Sequence, residues 1–139
     1  ISMSGEKLNE NQFIEAVKQV QKEFSKKLIF FIGFASIQES KYHIYYEFQD
    51  QDIQDDFIER FTSRVDSVLK SKNMEYADKR ESGRVEAPVG HLLQMHSFEI
   101  FKSRIIDQGL YHGRFQLNYL IQDEMRHGMF KKLIKRRFG

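Results

Sequence analysis

The pattern of apolar and polar positions divides the chain into short helical and strand segments. Phe13, Ile14, Val17, Val20 and Phe24 recur at intervals of three and four, the spacing that gathers side chains onto one helix face. Asn9, followed three residues later by Gln12, resembles a capping box that serves the orphan amides at that helix's start. Leu28 to Ile37 is a nearly unbroken apolar run, short and rich in strand formers. It predicts a strand covered on both faces, with Gly33 as a candidate bulge. Past the polar break from Gln38 to Lys41, Tyr42, Ile44, Tyr46 and Phe48 alternate with His43, Tyr45 and Glu47. This period predicts a strand with one buried face, paired to the first as a hairpin.

Ile53, Phe57, Ile58, Phe61, Val65, Val68 and Leu69 then carry the strongest helical periodicity, with Asp50, Asp52, Asp55 and Asp56 near its start, where the helix dipole favours them. Asn73 to Arg80 extends the helical pattern by a turn or two before Gly83, and Pro88 precedes a short strand around Val89 to Met95. Ser97 is placed to cap a helix carrying Phe98, Phe101 and Ile105, with Gly109 ending it. Phe115, Leu117, Tyr119 and Ile121 alternate as a fourth strand, before a last helix with Met125, Met129, Phe130, Leu133 and Ile134. The predicted order is α β β α (α) β α β α, an α+β fold in which a small mixed sheet of about four strands packs with helices.

Composition narrows the function classes. A length of 139 residues suits one domain, and 13 Phe with 6 Tyr supply a core that excludes wholesale disorder. Zero Cys removes disulfides, thiol nucleophiles and Cys-ligated zinc together. No apolar run approaches the length of a spanning helix and no signal segment opens the chain, so it reads as soluble and cytoplasmic, without a membrane partner. A formal charge of +2 is nearly balanced and selects no nucleic acid. The one basic cluster, Lys131, Lys132, Lys135, Arg136 and Arg137, is accounted for by the C-terminal end of the last helix dipole.

Autonomous chemistry is equally absent from the pattern. The 8 Gly are scattered rather than gathered into a phosphate-cradling loop, and there is no Gly-x-Ser-x-Gly elbow. His91 and His96 are an odd number apart, pointing to opposite faces, while His43, His112 and His127 lack a same-face partner. The histidines are therefore read as structural or solvated, and no metal site is expected. The pairs Asp55/Asp56 and Asp123/Glu124 fall at helix starts, and Phe30, Phe31, Tyr42, Tyr45 and Tyr46 read as core rather than as a base-stacking sheet.

Three stretches nevertheless carry a resemblance: Gly5-Glu6-Lys7-Leu8-Asn9-Glu10; Val65-Asp66-Ser67-Val68-Leu69 continuing through Asn73-Met74-Glu75-Tyr76-Ala77, Lys79-Arg80 and Ser82-Gly83-Arg84; and Phe98, Gly109 and the segment around Gln116. Together they resemble the C-terminal domain of the acyl-acid amido synthetases first described as products of plant auxin-responsive genes, members of the adenylate-forming ligases. The most specific part is the Asn-x-x-Tyr followed by Lys-Arg.

The resemblance implies a two-step, ATP-dependent ligase. A carboxylate attacks ATP to give an acyl-adenylate and pyrophosphate, and an amino acid amine then displaces AMP to form an amide. A large N-terminal domain would precede Ile1 and bind ATP, magnesium and the acid. Residues 1–8, with Gly5, Glu6 and Lys7, would form the hinge segment, and residues 9–139 a single mobile C-terminal domain, inactive alone.

One departure stands out within the resemblance. The family carries a Gln-x-Lys-x-Pro stretch whose lysine reaches the ATP phosphates, whereas here the aligned residues are Gln116, Leu117, Asn118, Tyr119 and Leu120. Gln116 matches, Asn118 replaces the lysine, and the proline is lost. A cation in contact with a phosphate contributes on the order of 4 kcal/mol at an effective dielectric of 20. Arg114, on the same face of the predicted strand as Gln116 and Asn118, is the candidate substitute, followed by Lys131 and Lys132. The rival reading is a noncatalytic protein- or ligand-binding α+β module that has lost the adenylation lysine.

Overall fold

A computed structural model describes residues 8–107 and 117–135. The predicted order holds element by element: α1 (Glu10–Gln21), β1 (Leu28–Ser36), β2 (Lys41–Phe48), α2 (Asp55–Lys72), α3 (Met74–Ser82), β3 (Val89–Leu92), α4 (Ser97–Asp107), β4 (Leu120–Ile121) and α5 (Glu124–Lys131). The sheet runs β3-β2-β1-β4, with β1 and β2 antiparallel and both outer pairings parallel. The fold is thus α+β with a mixed sheet. None of the described helices is long and apolar enough to cross a membrane.

Alternation along β1 and β2 feeds two cores. Phe31, Ala35, Tyr42, Ile44, Tyr46 and Phe48 face α1 and α2, meeting Phe13, Val17, Ile58, Phe61 and Val65. Phe30, Ile32, Phe34 and Tyr45 face the other way, against Phe101, Ile105, Met129 and Phe130 of α4 and α5. The expected single buried face of β2 is therefore a correction: α4 and α5 cover the second face, so Tyr45 and Glu47 are buried as well.

Local signals account for most element ends. The capping box at α1 is present, with Asn9 Oδ1 accepting from the Gln12 amide at 2.8 Å and Gln12 Oε1 accepting from the Asn9 amide at 3.3 Å. Gly83, at φ +81°, ends α3 in the left-handed conformation that favours glycine. Gly109, expected to end α4, lies outside the described residues. Phe24 falls past the end of α1 and packs against Phe57 and Phe61.

Three further expectations change. Gly33 is not the bulge; the register shifts between Leu28 and Phe30, while Gly33 stays paired with Ile44. Its role is close approach, because a Cβ there would sit 2.8 Å from the Phe13 ring and 3.0 Å from the Leu120 side chain. Ser97 is the first residue of α4, and its hydroxyl donates to the Gln94 carbonyl. The amides of His96 and Phe98 are instead accepted by the buried Glu47 carboxylate of β2, each at 2.9 Å. Finally, β4 is shorter than the alternation implied. Leu117 to Tyr119 precede it outside any strand, and its residues Leu120 and Ile121 are both buried, one in each core.

Candidate functional site

The chain comes into the fold at Leu8, fully buried under the first core, and turns through the Asn9 cap into α1. Because Asn9 and Gln12 already serve the helix start, the Glu10 carboxylate is free to reach elsewhere. Its Oε2 accepts the backbone amide of Tyr119 at 2.6 Å. The Tyr119 carbonyl in turn accepts from the Gly33 amide at 2.7 Å, starting the parallel pairing of β4 with β1. The beginning of α1 and the segment before β4 are thus held side by side.

On the other side of Tyr119, towards the end of α1, Lys18, Gln21, Leu28, Ile29, Phe31 and Tyr119 line a cleft of about 230 Å³, with the Tyr119 ring 5.0 Å from that of Phe31. Gln21 is committed, its Oε1 accepting from the Leu28 amide and its Nε2 donating to the Lys26 carbonyl. Lys18 is exposed and has no ion-pair partner among the described residues. Asn118, at the lysine position of the resemblance, is exposed beside the cleft-lining Tyr119. Arg114 and Gln116, like Gly5, Glu6 and Lys7, lie outside the described residues. Lys131 and Lys132 are exposed at the end of α5, while Lys135 donates to the Gln51 carbonyl.

The most specific sequence stretch has a structural explanation. Asn73 caps α3, accepting the Tyr76 amide at 2.9 Å, and Tyr76 donates its hydroxyl to Asp66 Oδ1 at 2.6 Å. Arg80 grips the same carboxylate through Nε at 3.0 Å and Nη2 at 2.8 Å, and its Nη1 donates to the Val85 carbonyl. Burial raises the Asp66 carboxyl, but the bonds from Arg80 and Tyr76 outweigh it and hold the group below the ordinary carboxylate range. Burial likewise pushes the Tyr76 phenol up, so it stays a donor. This lock joins α2, α3 and the return to β3, and it borders a cleft of about 450 Å³ lined by Glu59, Ser63, Asp66, Arg80, Pro88 and Gly90.

The histidine expectation is overturned in its geometry. His43 does have neighbours on its own face: the β2–β3 register sets Tyr45 opposite His91, and α5 brings His127 onto the same side. His43 Nε2 donates to Glu39 Oε2 at 2.7 Å, and its Nδ1 shares a hydrogen bond with His91 Nε2 at 2.9 Å. The Tyr45 hydroxyl and His127 Nε2 share a hydrogen bond at 2.7 Å, and His127 stacks on Phe34 at 3.7 Å. Burial, with the neighbouring His43, lowers His91 to about 4; burial and the nearby Lys131 lower His127 to about 4. Among the described residues, no group of three or more histidine or acidic side chains is arranged to hold a metal ion.

Sequence reasoning named Glu10 only within the first family-like stretch and missed its long-range contact, as it missed this histidine cluster. No local signal marks either, since Glu10 meets its partner 109 positions away and His43 meets His91 across 48.

Comparison with known proteins accords with this architecture. The GH3 family C-terminal domain matches residues 11–125. No curated protein matches the chain. Among solved structures, it superimposes on a GH3.15 acyl acid amido synthetase with TM-score 0.80 at 14% identity, covering 98% of this chain and 26% of that one. A second, described as AtGH3.15 acyl acid amido synthetase in complex with 2,4-DB, gives TM-score 0.78 at 15% identity over the same shares. The chain therefore spans about a quarter of the length of these structures, and it belongs to the GH3 family, whose C-terminal domain it represents.

Proposed function

We propose that this chain is the mobile C-terminal domain of an ATP-dependent acyl-acid amido synthetase. In this reading, residues 1–8 act as the hinge and residues 9–139 swing over a partner N-terminal domain between adenylation and amide formation. The single observation that supports the reading is the match of residues 11–125 to the GH3 family C-terminal domain.

In this reading magnesium and most of the ATP contacts fall to the N-terminal domain. ATP supplies the leaving groups, pyrophosphate in the first step and AMP in the second. This chain's part is to bring the segment leading to Asn118 towards the phosphates, with Arg114 providing the cation that Asn118 lacks. The acyl acid and amino acid pockets belong to the partner domain.

The protein translated from its complete reading frame tests the reading. Acid-dependent pyrophosphate exchange over a panel of benzoate, phenylacetate and hexanoate is the expected result, followed by amide formation when amino acids are added; this chain alone gives neither. Absence of exchange with every acid refutes the ligase. The exposed neutral Asn118 favours one rival, a binding module without chemistry, which predicts ATP-independent partner binding and no exchange.

A further inference from the structure

We infer that Glu10 is a positioning residue for adenylation, its carboxylate setting the Asn118–Tyr119 segment against the start of α1. The inference rests on the amido synthetase reading and adds to it a role for Glu10, the last residue of the first family-like stretch, to which the resemblance itself gave none.

An acidic residue in the first turn of a helix ordinarily serves that helix's own dipole and amides. Here that demand is met by the reciprocal Asn9–Gln12 box, and Glu10 spends its carboxylate on an amide from the far end of the chain. The acceptor is charged and the contact is 2.6 Å, the geometry of a strong hydrogen bond. The other polar group of the same peptide neighbourhood, the Tyr119 carbonyl, is held by Gly33 of the central strand. Tyr119 is thus pinned from two sides, by the sheet and by α1, and Asn118 is one peptide unit away.

The position of Glu10 along the chain gives the link its consequence. Leu8, two residues earlier, is fully buried and anchors the point where the proposed hinge ends. A rotation of the domain about that hinge therefore moves α1, and through Glu10 it carries the Asn118–Tyr119 segment as one rigid unit. Without the bond, the segment before β4 keeps its sheet attachment and the packing of the Leu117 and Tyr119 side chains but loses its tie to α1, and the groups meant for the phosphates lose registration. A lost positioning bond of this kind is expected to slow adenylation about tenfold.

The test uses the complete protein with Glu10→Ala and Glu10→Gln, the latter retaining an oxygen acceptor. Three readings are taken: hydrogen exchange at the Tyr119 amide, pyrophosphate exchange with the most active acid of the benzoate, phenylacetate and hexanoate panel, and aminolysis of that acid's synthetic adenylate. E10A is expected to lose Tyr119 protection and about tenfold of pyrophosphate exchange while aminolysis stays unchanged, and E10Q to recover most of both losses. The inference is overturned if E10A retains Tyr119 protection, if protection is lost with no effect on pyrophosphate exchange, or if both half-reactions fall equally. A parent protein that protects Tyr119 yet exchanges no pyrophosphate with any acid refutes the amido synthetase reading itself and removes the role of Glu10 with it.

Discussion

Replacing Arg80 by Ala probes the lock that gives the family stretch its specificity. The Arg80 and Asp66 side chains are only 15% and 9% exposed and meet at 2.8 Å, so the variant strands a carboxylate largely shielded from water. Removing one partner of a buried pair costs about 3–5 kcal/mol. Asp66 keeps the Tyr76 hydroxyl at 2.6 Å and the Lys70 ammonium at 3.6 Å, which places the expected loss near the lower end, about 3 kcal/mol. For a chain of this length that corresponds to a melting temperature lowered by roughly 10 °C. Thermal and urea unfolding at pH 7 and at lower pH provide the assay. Because the folded Asp66 lies below its ordinary value of 3.8, its contribution is present above that value and disappears as pH falls through the folded one. The gap between parent and variant should therefore narrow on acidification. A triple replacement, Asp66→Leu with Tyr76→Phe and Arg80→Met, removes charges and hydroxyl together and should recover most of the loss. An R80A melt within about 2 °C of the parent at pH 7, with no pH dependence of the difference, refutes the reasoning.

Three other outcomes are expected. His91 and His127 sit at about 4 when folded against 6.5 as free groups, so the unfolded chain takes up protons first. Their stabilisation is complete above about pH 6.5 and is lost towards pH 4, each contributing up to about 1.4 kcal/mol per pH unit, which urea titrations across that window measure. Gly33→Ala drives a methyl group into the Phe13 ring and the Leu120 side chain and should cost about 1–3 kcal/mol in the same titrations. In the complete protein, Arg114→Ala should cut pyrophosphate exchange if this side chain stands in for the missing lysine; unchanged exchange removes that assignment.

Legibility in the sequence followed the range of the interaction. The α1 box, the two strands of the hairpin and the α3 end at Gly83 rest on contacts within a few residues, and periodicity or a cap residue announces each. The second covered face of β2 was not visible, because α4 and α5 that cover it come 50 or more residues later and the His43, Tyr45, Glu47 face looks polar in isolation. Glu47 shows the point in a single side chain. In sequence it is an ordinary solvent-side residue of an alternating strand, and in the fold it is buried as the acceptor for two helix amides. The histidines behave alike: β3 ends at Leu92, so strand alternation does not reach His96, and spacing says nothing about which strand will lie beside His43.

The stretch that carried the family resemblance most specifically and the position proposed to bear on adenylation are different residues, for a physical reason. Asp66, Asn73, Tyr76 and Arg80 form a recognisable stretch because a buried carboxylate must find several donors at fixed helical offsets, and few substitutions satisfy it. That demand belongs to the fold and persists whether or not the protein makes an amide. Asn118, the position proposed to bear on adenylation, is exposed and makes no comparable structural demand, so an amide there is compatible with the architecture. Membership of the family follows from the match over residues 11–125, while activity would depend on how Asn118 and its neighbours are presented. That presentation runs through the backbone bonds of Tyr119 to Glu10 and Gly33, which makes the junction between α1 and β4 the place where fold and catalysis would meet.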